Sequence, residues 1–298
     1  MSEQAICCER YGETGPHLVM LHAQLTDHRS FDHAAGALAG RCRVWLPDCP
    51  GHGESVHDPA VYTISRCGAL LSDWIDSVIG GPFFLLGHSS GGMMAAWIAA
   101  NNPRCERLIL EDPPLFSCEG ERQLTTSHYY DVSETCSRFL AQEEETDFVL
   151  YYFRRQRAWG ALPEKTREET RAALTARAEA FRRGNPDRDL KIAGWPCGIF
   201  RGMNRYDPAF GDAVAAGRFN DVSHEALLRR IKAPTLFLKA RTEYDDDGLL
   251  ACALSDEDAA QAAGCIPDCR IERFDCGHGI HIAREKQFLE SVRTFLGL

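Results

Sequence analysis

The stretch FFLLGHSSGGMMAAWIAA, residues 83 to 100, joins two apolar runs through a short segment of Gly, Ser and His. The first run, residues 83 to 86, is short and continuous, which is typical of a strand buried on both faces of a parallel sheet. The second, residues 93 to 100, consists mostly of good helix formers, and Pro103 marks the end of that helix. The stretch therefore predicts a strand, a tight turn and a helix.

The turn carries the pattern GxSxG, from Gly87 to Gly91, with Ser89 at its centre. Glycines on either side allow the backbone to reverse sharply and to approach its neighbours closely. The free N–H groups at the start of the next helix face the same point as the serine hydroxyl. A glycine-rich loop can carry a serine by chance, but a buried strand before it and a small-residue helix after it favour a nucleophile.

Predicted strands and helices alternate through most of the chain. Strand-like segments include AICCERY, HLVMLHA, CRVWLPD, ERLILEDPP, APTLFLKA and CRIERFD. This alternation predicts an α/β fold with a mostly parallel central sheet and helices on both faces. Residues 1–114 and 233–298 are expected to form this core. Residues 115–232 carry charged runs at helical spacing and no strong strand pattern, so we predict a helical insertion over one end of the sheet.

Composition excludes several classes of function. The chain has 298 residues, 44% of them hydrophobic and 26% charged, and a formal net charge of −10. These values are ordinary for a soluble globular protein, and the negative charge argues against a nucleic-acid partner. No segment approaches the roughly 20 apolar residues that cross a bilayer, so no membrane partner is expected. The oligomeric state is left open.

Thirteen cysteines occur without paired CxxC spacing, and the start of the chain lacks the pattern of a secretory signal. Both features predict a cytoplasmic protein whose cysteines stay reduced. The closest approach to a metal pattern is Cys265 and Cys269, which have no second ligand pair nearby. We therefore expect neither a metal nor another cofactor.

A serine nucleophile needs a base, and His278 in FDCGHGIHI is the candidate. It follows a predicted strand and a glycine near the end of the chain, where a loop can return over the sheet. His281 is the competitor, and we interpret it as a packing or pocket residue.

Four segments together resemble the α/β-hydrolase family over nearly the whole chain: LHAQ, PDCPGHGES, GHSSGG, and CGH followed by a C-terminal helix. The resemblance implies Ser89 as nucleophile, His278 as general base, and an oxyanion hole formed by the backbone N–H groups of Ser90 and Gln24. It also implies that the insertion is a cap over the substrate pocket. The chain departs from the family at Ala23, where the family has a glycine.

The third member of the triad has two candidate positions. Many relatives carry an Asp after the strand that here reads LFLKARTEYDDDG, which points to Glu243 or the nearby Asp245. The alternative is Asp112 in LILEDPP, at the strand end that carries the acid in haloalkane dehalogenases, zearalenone lactonase and cofactor-free quinaldine dioxygenases. Strand ends at one edge of a parallel sheet share a crevice, so Asp112 could reach His278. We prefer Asp112, because prolines restrain the backbone that follows it, whereas the acidic loop favours solvent.

Serine at position 89 argues against haloalkane dehalogenation and epoxide opening, which use a carboxylate nucleophile in this family. We expect a serine hydrolase that cleaves a small carboxylic ester or lactone through a Ser-His-Asp triad. One alternative is a cofactor-free dioxygenase, which the TDHR segment at residues 26–29 resembles, or a C–C bond hydrolase on the same fold. Another is a non-catalytic small-molecule binding protein.

Overall fold

The computed structural model describes residues 5–298, and across them the strands form a seven-stranded sheet in the order β1-β3-β2-β4-β5-β6-β7. The strands are β1 (Cys8–Tyr11), β2 (His17–Leu21), β3 (Arg43–Pro47), β4 (Phe83–His88), β5 (Cys105–Glu111), β6 (Thr235–Lys239) and β7 (Cys269–Arg273).

Strand directions make the sheet mostly parallel. Only β1 runs antiparallel to its neighbour among the pairs described, with Cys8 opposite Pro47 on β3. The other pairs are parallel, and in the centre Leu86 of β4 lies opposite Met20 of β2 and Ile109 of β5. The predicted α/β fold with a mostly parallel sheet is therefore confirmed.

Helices cover both faces of the sheet because successive strand residues point to opposite sides. On β4, Leu85 packs in a core with residues of α2 (Ile64–Val78), α3 (Ser90–Asn101) and α9 (Asp256–Cys265). Leu86 packs in a second core with residues of α1 (Asp32–Leu38) and α11 (Glu285–Leu296). Both positions are fully buried, which explains why the strand is a continuous apolar run. The helices are α1 (Asp32–Leu38), α2 (Ile64–Val78), α3 (Ser90–Asn101), α4 (Glu134–Leu140), α5 (Phe148–Arg155), α6 (Glu164–Gly184), α7 (Pro208–Ala215), α8 (His224–Leu228), α9 (Asp256–Cys265), α10 (Ile280–Ala283) and α11 (Glu285–Leu296).

The long connection from β5 to β6 contains α4 to α8 and short turns of 3-10 or π-helix, and residues 115–232 contribute no strand to the sheet. In α5 the six consecutive residues from Phe148 to Phe153 are all buried, so this helix is enclosed on every side. None of the helices in the described part of the chain is long and apolar enough to cross a membrane.

The parallel strands bring their carboxyl ends to one edge of the sheet. There β4 is followed directly by Ser89, β5 by Asp112 and β6 by Ala240. Crevices outside the carboxyl ends of parallel strands are where α/β proteins bind ligands. The sheet thus places a hydroxyl and a carboxylate, far apart in sequence, on adjacent strand ends.

Candidate active site

Ser89 occupies a strained turn between β4 and α3. Its backbone has φ 55° and ψ −123°, a conformation that non-glycine residues rarely adopt. The flanking glycines are required by close contacts: a Cβ on Gly91 would lie 2.4 Å from the carbonyl oxygen of Leu21, and one on Gly87 would lie 2.4 Å from the carbonyl oxygen of Gly91. These glycines leave Ser89 as the side chain at the tip of the turn.

His278 and Asp112 lie together. His278 Nδ1 is 2.8 Å from Asp112 Oδ2, so the ring donates this N–H to the carboxylate. The other oxygen, Oδ1, accepts the backbone N–H of Ala240 at 3.0 Å, and the Asp112 N–H donates to the Leu238 carbonyl at 2.8 Å. Asp112 is fully buried and has φ 45°. Its carboxylate is therefore held on both oxygens, with one of them committed to His278.

Ser89 and His278 line the same cavity, which has a volume of about 220 Å³. Within the described residues, no hydrogen bond joins the two side chains. Such bonds are often long before a substrate binds and tighten in the complex. The cavity is lined by side chains from both the core and residues 115–232: Gln24, Ser89, Ser90, Pro114, Ser117, Cys118, Thr126, Ser127, His128, Asp131, Val132, Ile199, Val214, Phe219, Ala251, Cys252, Ala253 and His278.

Gln24 and Ser90, the two residues whose N–H groups the family resemblance implicates, both line this cavity. Ser90 is the first residue of α3, and a backbone N–H at this position has no hydrogen-bond acceptor within the helix. The Gln24 side chain is fixed at both ends, since its Nε2 donates to Tyr206 Oη at 2.6 Å and its Oε1 lies 3.1 Å from His128 Nε2. In the same loop the residue with a left-handed backbone is Leu25, with φ 68°, and not Ala23.

The two alternative acids lie elsewhere in the structure. Glu243 accepts a hydrogen bond from Arg241 Nε at 2.8 Å, and Asp245 accepts one from Arg157 at 2.8 Å. Neither hydrogen-bonds to His278 in the part of the chain that the structure describes. Of the carboxylates that the sequence put forward, Asp112 is the one that the structure brings to His278.

Lys239 is a neighbour of this pair that sequence reasoning missed. Its side chain is fully buried, and its Nζ lies 3.9 Å from Asp112 Oδ1 and donates to the carbonyl of Ala240. The sequence signal for such a neighbour was a lysine at the end of the largely apolar strand TLFLK, because a lysine that is fully buried is almost always paired with an acid.

A second carboxylate–histidine pair lies directly behind the first and was also missed. His281 Nδ1 is 2.8 Å from Glu111 Oε1, and the backbone N–H of His281 donates to the same oxygen at 2.9 Å. Glu111 is fully buried and His281 is 4% exposed. Burial acts to raise the pKa of Glu111, but the attraction of the neighbouring His281 and the hydrogen bonds from it hold that pKa below its ordinary value. The sequence predicts a packing or pocket role for His281, and the structure adds a carboxylate that accepts its hydrogen bonds.

His88, Glu111 and His281 are also the residues to consider for a metal ion. Each offers a ligand atom, and these atoms lie within 4.8 Å of one another. The Glu111 carboxylate accepts both N–H groups of His281, so Nδ1 carries a proton and Nε2, buried without a partner among the described residues, is the nitrogen with a free lone pair. The contacts that the structure shows for these three residues are hydrogen bonds within the protein.

The TDHR segment does not line the cavity. Asp27 and Arg29 pair with each other at 2.6 Å, and His28 Nδ1 is 2.8 Å from Asp48 Oδ1. Asp48 also accepts the N–H of Glu54 at 3.0 Å, so these side chains hold together two loops of the core. These contacts give the TDHR segment a structural role in the core.

A larger open groove, of about 970 Å³, lies between β7 and α11. Its lining includes Arg270, Glu272 and Arg273 but none of Ser89, Asp112 and His278. It is shallow and charged, whereas the small cavity holds the groups capable of covalent chemistry. The small cavity is therefore the candidate active site.

A family model described as "Alpha/beta hydrolase family" matches residues 18–290. The chain belongs to this family. It is 25% identical to Lipase LipV of Mycobacterium tuberculosis over 293 residues, which cover 97% of each chain. It is 34% identical to a pimeloyl-(acyl-carrier protein) methyl ester esterase of Aeromonas hydrophila over 119 residues, which are 39% of this chain and 45% of that one. A crystal structure of a hydrolase from Pseudomonas aeruginosa superposes with a TM-score of 0.66 at 23% identity, covering 98% of this chain and 94% of that one.

The similarity to these proteins agrees with the fold described above. The crystal structure supports the fold of this α/β hydrolase, and the two sequence relatives carry the names of ester-cleaving enzymes. Homology therefore supports a hydrolase acting on esters. The residues that perform the reaction and the choice of substrate have to be argued from the cavity.

Proposed function

We propose that the protein is a serine hydrolase that cleaves a carboxylic ester or lactone with Ser89, His278 and Asp112. The observation that carries this proposal is the 2.8 Å contact between His278 Nδ1 and Asp112 Oδ2, on a cavity that also exposes the strained Ser89. A base oriented by a carboxylate, beside a hydroxyl on a nucleophile turn, is the arrangement that activates serine.

The reaction follows from these positions. Ser89 Oγ attacks the carbonyl carbon while His278 Nε2 accepts the hydroxyl proton, and Asp112 stabilises the resulting imidazolium. The N–H groups of Gln24 and Ser90 bind the oxyanion. His278 then returns the proton to the leaving alkoxide, and a water molecule, deprotonated by the same nitrogen, releases the acid from Ser89.

Charge in the cavity favours a neutral substrate. Among the described residues that line it there is no Lys or Arg, and one lining residue is the carboxyl of Asp131. Burial raises the pKa of Asp131, although the Arg157 N–H and the Tyr152 hydroxyl donate to it at 2.6 and 2.8 Å. A substrate with its own carboxylate or phosphate would find no cation here to offset its desolvation.

Residues 115–232 supply about half of the cavity lining, from Ser117 to Phe219. We therefore assign to these residues, 115–232, the role of a cap that shapes the site, with residues 1–114 and 233–298 as the catalytic core. Substrate choice then depends on the cap and chemistry on the core.

The test is Ser89→Ala, with Ser77→Ala as the matched control, because Ser77 is an exposed serine on α2. Hydrolysis of a short-chain p-nitrophenyl ester should fall on the order of 10³-fold or more in the first variant and be unchanged in the second. A fluorophosphonate probe should label the parent protein and Ser77→Ala but not Ser89→Ala. Hydrolysis by Ser89→Ala at the parent rate would refute the assignment of the nucleophile.

A further inference from the structure

The residues directly before the nucleophile and before the acid both contact the loop that carries His278. His88 precedes Ser89 at the end of β4, and its Nε2 lies 3.1 Å from the backbone carbonyl oxygen of His278. Glu111 precedes Asp112 at the end of β5 and accepts two N–H groups of His281, three residues after His278. We call His88, Glu111 and His281 the clamp.

The position of the clamp follows from strand alternation. Leu86 and Ile109 point into the core formed with α1 and α11, so His88 and Glu111, two residues further along their strands, point to the same face. His281 meets them there, with its ring centroid 5.0 Å from that of His88 and 4.4 Å from that of Phe31. The clamp therefore lies behind the cavity, and none of its members lines it.

The protonation of His88 fits this role. Burial lowers the pKa of His88 to about 3, so its ring is neutral at pH 7 and carries one N–H. The contact at Nε2 is with a carbonyl oxygen, which can only accept, so the proton is on Nε2. His88 thus hydrogen-bonds to the backbone of His278, while Asp112 hydrogen-bonds to its side chain.

The segment around His278 has no regular secondary structure. It lies between the end of β7 at Arg273 and the start of α10 at Ile280, and Gly277 and Gly279 flank the histidine. A Cβ on Gly277 would meet nothing within 4 Å, so close packing does not fix the backbone there. Other hydrogen bonds near the histidine are those from the Arg241 N–H to the Cys276 carbonyl at 2.9 Å and from the Arg284 side chain to the Asp275 carbonyl at 2.7 Å.

We propose that the clamp positions His278 for proton transfer, an inference that rests on the proposed hydrolase function. The clamp members are positioning residues because they act through the backbone and touch no substrate. Loss of the clamp should lower kcat with little change in KM, since the cavity wall is left intact. Misplacement of a reacting group by about 1 Å can cost on the order of 10²-fold in rate.

The experiment compares His281→Phe with His281→Asn. Phenylalanine keeps the ring beside Phe31 but lacks the N–H that Glu111 accepts, whereas the asparagine amide can donate from nearly the position of Nδ1. We expect kcat for the short-chain ester to fall on the order of 10²-fold in the first variant, with KM within a few-fold of the parent. The second variant should recover most of that loss.

A core truncation on the other sheet face, Ile75→Ala, serves as the stability control. It should lower Tm without lowering kcat at a temperature where the protein remains folded. A folded His281→Phe with the parent kcat would overturn the proposal. If His281→Phe does not fold, Glu111→Gln decides in its place. Its amide oxygen can still accept from His281, but an NH₂ group replaces the oxygen that lies 3.0 Å from the Nδ1–H, so two donors face each other and kcat should fall. The parent kcat in this variant would overturn the proposal.

A readout that needs no substrate separates this inference from the proposed function. The downfield proton resonance of His278 Nδ1–H, bound to Asp112, should be sharp in the parent and broadened by exchange in His281→Phe. A parent protein that neither hydrolyses esters nor reacts with the fluorophosphonate would refute the hydrolase, and the resonance would still test the clamp. An identical resonance in both proteins would overturn the clamp.

Discussion

Replacing Asp112 with asparagine should impair the enzyme through the tautomer of His278. In the parent, Asp112 Oδ1 accepts the Ala240 N–H at 3.0 Å and Oδ2 accepts the His278 Nδ1–H at 2.8 Å. Asparagine has one oxygen and one NH₂ group for these two donors. If the oxygen faced His278, the amide N–H and the Ala240 N–H would face each other, and a buried unsatisfied donor costs about 1–3 kcal/mol.

In Asp112→Asn the amide oxygen should therefore stay with Ala240, and the NH₂ group should face His278 Nδ1. This nitrogen must then be the acceptor, so the proton moves to Nε2, where the base needs its lone pair. Catalytic triads with this tautomer lose roughly 10⁴-fold in kcat. That factor corresponds to about 5 kcal/mol in the activation barrier. KM should change little, because Asp112 does not line the cavity.

The assay is hydrolysis of a short-chain p-nitrophenyl ester, with circular dichroism to verify folding. Glu243→Gln and Asp245→Asn are the matched controls and should retain most of the activity, since both carboxylates pair with arginines away from His278. A folded Asp112→Asn within tenfold of the parent kcat would refute the tautomer argument. A comparable loss in Glu243→Gln would transfer the role of acid to the other strand.

Two further measurements test the cavity and the core. A volume of about 220 Å³ is below the range of roughly 300–1,000 Å³ for drug-sized ligands, so kcat/KM for p-nitrophenyl acetate and butyrate should exceed that for the palmitate, and a preference for palmitate would contradict the cavity. Burial acts to raise the pKa of Asp48, but its hydrogen bond to His28 holds that pKa well below the ordinary value. A lowered pKa in the folded state stabilises the fold at pH values above the unfolded pKa of about 4, and this stabilisation is lost as the pH falls below it. Asp48→Asn should therefore lower Tm at pH 7, and the difference in Tm from the parent should become smaller in acid. A difference in Tm that does not depend on pH would contradict this linkage.

The sequence was sufficient for the sheet because its signals are local. Apolar runs, turn residues and helix formers alternate within windows of about ten residues, and the strands that they predict are present. The turn at Ser89 was predictable for the same reason, since the glycines required by close contacts at positions 87 and 91 are adjacent to it.

The pairing of acids with histidines could not be predicted with the same certainty. Glu111 and Asp112 are consecutive, and each binds a different histidine, at 281 and 278. Which carboxylate binds His278 depends on strand alternation and on the left-handed backbone of Asp112, and no local sequence pattern predicts that conformation. Lys239 was missed similarly, because a lysine in a strand is ordinarily a surface residue and its burial depends on packing across the sheet.

The connection between β5 and β6 has a consequence for how this protein can change. About 120 residues separate two adjacent strands, yet the entropy of closing a loop grows only with the logarithm of its length, by about 0.6 kcal/mol for each doubling. Shortening the connection to about ten residues would thus alter the closure term by roughly 2 kcal/mol. The ends of β4 and β5 are also joined directly to each other, since the Ser89 N–H donates to the Glu111 carbonyl at 2.9 Å. Insertions and deletions between positions 115 and 232 that spare the buried contacts of this segment with the core, such as those of Phe210 and Leu228, therefore remodel the substrate cavity at a small loop-closure cost. This makes the segment the natural target for recombination with other family members.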